Sequence, residues 1–137
     1  MKQKIIICGA GRVGISITEH LSNEGFDITV IDSNVDAIQK VTELYDVQGV
    51  LGLASHPNVL EDAGINDADM IIAVTQSDEI NIAACHIAKS IFSTPTMIIR
   101  IRSKAYLEPR YVEYLLKDVK VNRIISPEDE VASAIVN

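Results

Sequence analysis

Residues 4–32, KIIICGAGRVGISITEHLSNEGFDITVID, constrain this chain more tightly than any other stretch. An apolar burst runs straight into Gly9, Gly11 and Gly14, spaced as G-x-G-x-x-G, and a helical pattern follows. A second apolar burst then ends in Asp32, 18 residues beyond Gly14. Strand, glycine loop, helix, strand and acid in that order form the signature of a dinucleotide-binding βαβ unit. Gly9 permits a tight turn, Gly11 lets a pyrophosphate approach bare backbone, and Gly14 lets the helix pack close to the sheet. The amides at residues 11–13 then face the phosphates with the helix dipole behind them. Asp32 is placed to accept hydrogen bonds from the ribose hydroxyls of an adenosine. Its charge would repel a 2′-phosphate, so NAD is expected over NADP.

The same rhythm continues to the end of the chain. Short apolar runs at 4–8, 27–31, 47–51, 70–74, 97–101 and 122–125 alternate with helical patterns near 12–24, 34–45, 57–63, 79–92 and 104–117. Most of the runs lack polar alternation, as strands covered on both faces do. The expected fold class is α/β: a Rossmann-like doubly wound parallel sheet in a single domain over residues 1–126. Ser33 is read as the cap of the second helix, with Asp36 in its first turn. Ser126-Pro127-Glu128-Asp129-Glu130 has the form of a helix start, yet only seven residues follow. Residues 127–137 are therefore expected to open a crossover helix that is cut short.

Composition removes other classes. The net charge of −7 offers no basic face for phosphate backbones, so no nucleic-acid role is expected. No apolar run approaches the ~20 residues that span a bilayer, and no signal peptide precedes the first strand, so a cytoplasmic protein without membrane insertion is expected. Cys8 and Cys85 lie in no CxxC spacing and are read as reduced core residues. His20, His56 and His86 make no ligand pattern, and no metal is expected.

Further candidates come from loops that leave the carboxyl edge of the sheet, where ligands of open α/β folds bind. The Gly52-Leu53-Ala54-Ser55 loop would border an adenine. Thr75 and Gln76 are ligand candidates beside the topological switch point, whereas Ser77 and Asp78 are explained well enough as cap residues. Arg12 either touches phosphate or is simply solvated. Arg100 sits in a strand expected to be buried, so it needs an anionic partner, either a carboxylate or a bound phosphate. A dehydrogenase would also need a general acid or base and a substrate pocket, and neither is evident. Tyr111 and Tyr114 read as packing residues of an amphipathic helix. The helix at 79–92 is apolar on two faces, which points to a contact in a homodimer or higher homo-oligomer.

Three quoted segments together resemble a known family: CGAGRVGISITEHLSNEGFDITVID, GLASHPNVLEDAGINDADMIIAVTQSDEIN and IIRIRS. They are similar to the RCK/KTN (TrkA-N) domains of Trk-type potassium-uptake systems, over residues 3 to about 130. The resemblance implies nucleotide contacts at Gly9, Ala10, Gly11, Arg12, Val13, Asp32, Thr75, Gln76 and Arg100, with Arg100 on phosphate. With Gly14, Ser33 and Leu53 these make up the candidate cofactor-binding set. It implies NAD (NAD⁺ or NADH) as cofactor, or ATP or ADP in the same cleft. It further implies a dimeric, non-enzymatic gating module, held at the inner face of the membrane by an embedded potassium-transport subunit. Two rival readings remain at this stage: the cofactor-binding fragment of an NAD-dependent oxidoreductase, and a structural module with a vestigial site.

Overall fold

The computed structural model describes residues 2–127. Six parallel strands, β1 (Lys4–Cys8), β2 (Asp27–Asp32), β3 (Gln48–Leu51), β4 (Met70–Ala73), β5 (Thr96–Arg100) and β6 (Arg123–Ile125), pair in the order β3-β2-β1-β4-β5-β6. The direction of winding reverses between β1 and β4, which makes that gap the switch point. Pairing of Cys8 with both Ile31 and Ala73 levels the carboxyl ends of the three central strands. Five helices connect them: α1 (Arg12–Ser22), α2 (Val35–Leu44), α3 (Pro57–Asp62), α4 (Asp78–Ser90) and α5 (Pro109–Tyr114). The expected doubly wound α/β fold is what the chain adopts.

Successive strand residues point to opposite faces, so one strand feeds two cores. Ile6, Cys8, Ile71, Ala73, Met97 and Ile99 pack on the face that holds α3 and α4. Ile5, Ile7, Ile28, Val30 and Ile72 pack on the face of α1 and α2, against Val13, Ile17, Leu21 and Val41. Both faces of the central strands are covered, which is why they carry no polar alternation, whereas the edge strand β3 is largely exposed.

Local punctuation departs from the sequence reading at several points. Asn34, not Ser33, caps α2: its side chain accepts from the Ala37 amide at 3.0 Å. The final helix begins at Pro109 rather than near 104, because a proline is pre-set for a first helical position and keeps the preceding residue out of the helical region. It continues into a wide turn over Leu115–Val119 that ends at Lys120, whose φ is +69°. Tyr111 and Tyr114 remain about 40% exposed rather than packed away. A short 3₁₀ turn at Ile65–Asp67 had no signal in the periodicity. The helix start expected beyond Pro127 lies outside the described residues.

In α4 the small side chains face inward. Ala84, Cys85 and Ala88 are fully buried with Asn81, while Ile80, Ile82 and Ile87 are half-buried beside them. Ile91 is 60% exposed. The outer side of α4 forms a shallow groove of about 280 Å³ lined by Ile82, Ala83, His86, Tyr106 and Tyr114.

Cys8 and Cys85, 77 positions apart, join one core as buried thiols. Burial pushes both thiols up in pKa, Cys85 to about 12 and Cys8 further, with the neighbouring Cys85 adding to the effect on Cys8. Neither should react with a thiol reagent at pH 8 until the chain unfolds, which a colourimetric thiol assay with and without urea will check. The raised folded values mean that stability is full below about 9, the unfolded thiol value, and falls as pH rises from there towards about 12.

Candidate functional site

The loop after β1 is built around one conformation that side-chain-bearing residues avoid. Gly9 has φ +115°, and a Cβ there would lie 2.9 Å from the Val74 carbonyl oxygen and 3.0 Å from the Thr75 amide nitrogen. Its own amide donates to the Ile31 carbonyl at 2.7 Å, so the loop leaves β1 locked to β2. A Cβ on Gly14 would collide with the Gly9 carbonyl, which is how closely α1 passes over the turn. Gly11, the residue before α1, has nothing within 4 Å of a would-be Cβ. Its backbone faces open space at a helix N-terminus that carries no side-chain cap.

That open space is a cleft of about 580 Å³ along the carboxyl edge of the sheet. Gly9, Ala10, Gly11, Arg12, Val13, Asp32, Ser33, Leu53, Thr75, Gln76 and Arg100 all line it. Of the candidate set only Gly14 stays behind the surface, in keeping with its packing role. Residues up to 91 positions from Gly9 in sequence are thus brought around one cavity by strand ends and the loops that leave them.

Asp32 is fixed from two sides. One carboxylate oxygen accepts from the Ala10 amide at 2.7 Å and the other from the Asn34 amide at 2.8 Å. These bonds aim the carboxylate and couple the end of β2 to the glycine loop. Each oxygen keeps a lone pair for a further donor.

The β4 and β5 ends are tied by side chains of α4. Ser77 caps that helix, its hydroxyl accepting from the Ile80 amide at 3.2 Å. Asn81, fully buried, accepts from the Thr75 amide at 3.0 Å and the Thr75 hydroxyl at 2.6 Å, and donates to the Arg100 carbonyl at 2.9 Å. Asp78 is not a cap: its two oxygens accept from the Arg102 and Ser103 amides, both at 2.8 Å. Arg100 is 8% exposed, and its Nη1 donates to the Thr75 carbonyl at 3.4 Å.

Arg102, Asn34 and Ile80 also line the cleft and were missed by sequence reasoning. The signal for Arg102 was available: residues i and i+2 of an extended strand share a face, so Arg102 follows Arg100. Three guanidiniums, Arg12, Arg100 and Arg102, therefore stand against one carboxylate, Asp32, in a chain whose net charge is −7. Such a cleft suits an anionic ligand with a hydroxyl-bearing portion at the β2 end.

Comparison with known proteins agrees with this geometry. The family model described as TrkA-N domain matches residues 5–127. The chain is 46% identical over 132 residues to the Trk system potassium uptake protein TrkA of Vibrio alginolyticus, covering 96% of this chain and 29% of that protein. It is 45% identical over 134 residues to the protein of the same name from Azorhizobium caulinodans, covering 97% and 29%. The chain thus spans less than a third of the length of these relatives. Among solved structures, the TrkA-N domain of the inner membrane protein ybaL from Escherichia coli superimposes with a TM-score of 0.81 at 19% identity, over 99% of this chain and 96% of that one. The NAD-bound GsuK channel gives 0.73 at 20% identity, over 91% and 21%. Matching family model, close relatives and shared architecture together establish that this chain belongs to the TrkA-N domain family.

Proposed function

We propose that the cleft binds an adenine nucleotide and that the domain is a regulatory, non-catalytic part of a Trk-type potassium-uptake system. The observation that carries this reading is the charge layout: one oriented carboxylate at the β2 end, an open helix N-terminus that begins with Arg12, and Arg100 and Arg102 at the β5 end. Adenosine would place its ribose on Asp32, border Leu53 with its base, and lay its phosphates along residues 11–13 towards Arg100. NAD⁺, NADH, ATP and ADP all satisfy that pattern. The cleft lining contains no histidine, cysteine, lysine or tyrosine among the described residues. That composition favours sensing over hydride transfer to or from a carbonyl, which needs a proton donor or acceptor at the substrate oxygen. The names of the relatives support the potassium-uptake assignment, and with it a membrane-embedded transport partner. No helix of the described residues is long and apolar enough to cross a membrane, so that partner would supply the pore.

Regulation would work by population shift. The domain pairs with a second copy through the outer side of α4. A ligand that touches the β1, β2, β4 and β5 loop ends favours one dimer geometry only by its differential affinity for the two, and ~1–3 kcal/mol of coupling suffices. Ala83→Arg, which puts a guanidinium into the groove beside Ile82, is expected to yield monomers by sedimentation velocity without changing the circular dichroism.

Calorimetric titration with the four nucleotides tests the ligand. Asp32→Ala should weaken binding by about tenfold or more, since a charged hydrogen-bond acceptor is lost. Binding that survives the substitution unchanged would remove Asp32 from the site, and no binding by any of the four would sink the sensing role.

A further inference from the structure

The backbone that carries Arg100 and Arg102 leaves the sheet between the two residues: Arg100 is still paired with Ile125, and Arg102 is not in a strand. On the β4 side the ladder ends at the pairing of Ala73 with Ile99. On the β6 side it ends one bond later, where the Ile101 amide donates to the Ile125 carbonyl at 2.9 Å. Past that point the polar backbone groups go to side chains from the first turn of α4. Asn81 takes up the Arg100 carbonyl, and Asp78, only 7% exposed, takes up the consecutive amides of Arg102 and Ser103. Burying a carboxylate is costly unless it is well bonded. Two short bonds to neighbouring amides meet that requirement and fix the loop direction within narrow limits. Farther along the same loop, the Tyr106 hydroxyl donates to Glu79 Oε2 at 2.8 Å, so the residue next to Asp78 grips the loop again. Ile101, buried between the two arginines, anchors the alternation that turns both side chains to the cleft.

We infer that Asp78 is a positioning residue for the phosphate end of the cleft: through the amides of Arg102 and Ser103 it sets the reach of Arg102, and jointly with Asn81 that of Arg100. The inference rests on the reading that the cleft takes an adenine nucleotide. It concerns a different quantity, the rise in affinity with the number of phosphates. AMP would place its single phosphate on the glycine loop, away from the β5 end. ATP extends a longer anionic chain towards the two arginines. Loosening the β5 loop therefore penalises ATP and spares AMP. A role confined to folding would instead weaken both alike.

The test is calorimetric titration of the 137-residue chain and its Asp78→Asn variant with ATP and with AMP, alongside thermal unfolding. An amide oxygen can keep one of the two amide donors but not the charge or the second bond. The ATP-to-AMP affinity ratio is expected to fall about tenfold, with AMP affinity held within about twofold. An unchanged ratio in a folded variant, or equal losses for both nucleotides, overturns the inference. Should Asp78→Asn fail to fold, Asp78→Glu stands in: it keeps the charge but moves the carboxylate by one methylene off the two amides, with an expected fall of about threefold in the same ratio. An unchanged ratio there overturns it equally. If the unaltered chain binds neither nucleotide, the adenine-nucleotide reading fails and this inference with it; if it binds both, the ratio alone decides the role of Asp78.

Discussion

Gly11→Ala is expected to leave the fold as stable as before and to cost the protein its ligand. The residue has φ −80° and ψ −165°, extended values that alanine adopts without strain. No atom lies within 4 Å of the position its Cβ would take. Removing a glycine from the unfolded ensemble at such a position stabilises by about 0.4–1 kcal/mol, so the unfolding midpoint should hold or rise slightly. The methyl group, however, would stand in the cleft where the proposed nucleotide would lay its phosphates on backbone. A misfit of about 1–3 kcal/mol translates into roughly 5- to 150-fold weaker nucleotide binding. Urea unfolding and calorimetry on one preparation check both halves. Undiminished affinity would mean that the phosphates do not approach this part of the loop.

Gly9→Ala is expected to do the reverse, damaging the fold first. Its φ of +115° is a region that a side chain strains to enter, at about 1–3 kcal/mol. The added Cβ would also press on the backbone of Val74 and Thr75, which has no soft side chain to yield, and overpacking costs a further 1–3 kcal/mol or so. A combined loss of about 2–6 kcal/mol is a large part of the 5–15 kcal/mol that holds a typical domain together. The urea midpoint should drop sharply, and the loop would lose its bond from the Gly9 amide to Ile31. A midpoint within error of the parent would show that the turn has room to relax. Two substitutions two residues apart should therefore separate stability from binding.

Much of this could be read in the sequence because the fold writes itself in local terms. Buried strands such as KIIIC and MIIA announce themselves by apolar runs, and the glycine loop by spacing. The site was legible to the extent that it consists of strand ends, since knowing the sheet order places Asp32, Thr75 and Arg100 together. What escaped was set by contacts between distant segments. Asp78 looked like a helix cap because acids favour first turns, yet its carboxylate is spent on amides 24 and 25 positions away. Asn81 sits in the first turn of an apolar helix where polarity carries no periodic signal, and only the neighbouring loop ends give it partners. Ser33 and Asn34 compete for one cap, and composition cannot choose between adjacent polar residues. The two apolar faces of α4 did not say which one meets the sheet; it is the one with Ala84, Cys85 and Ala88, because small side chains allow a helix to lie close on a sheet.

The two hydrophobic layers described above have a consequence for how occupancy would be felt. Ala10, Val13, Ala37 and Val74 belong to one layer, Ile31 and Ala54 to the other, and all six border the same cleft. A molecule seated there braces both sides of the sheet at once. Its arrival should slow amide exchange in α1 and α2 together with α3 and α4, so that a single binding event is registered across the whole thickness of the domain.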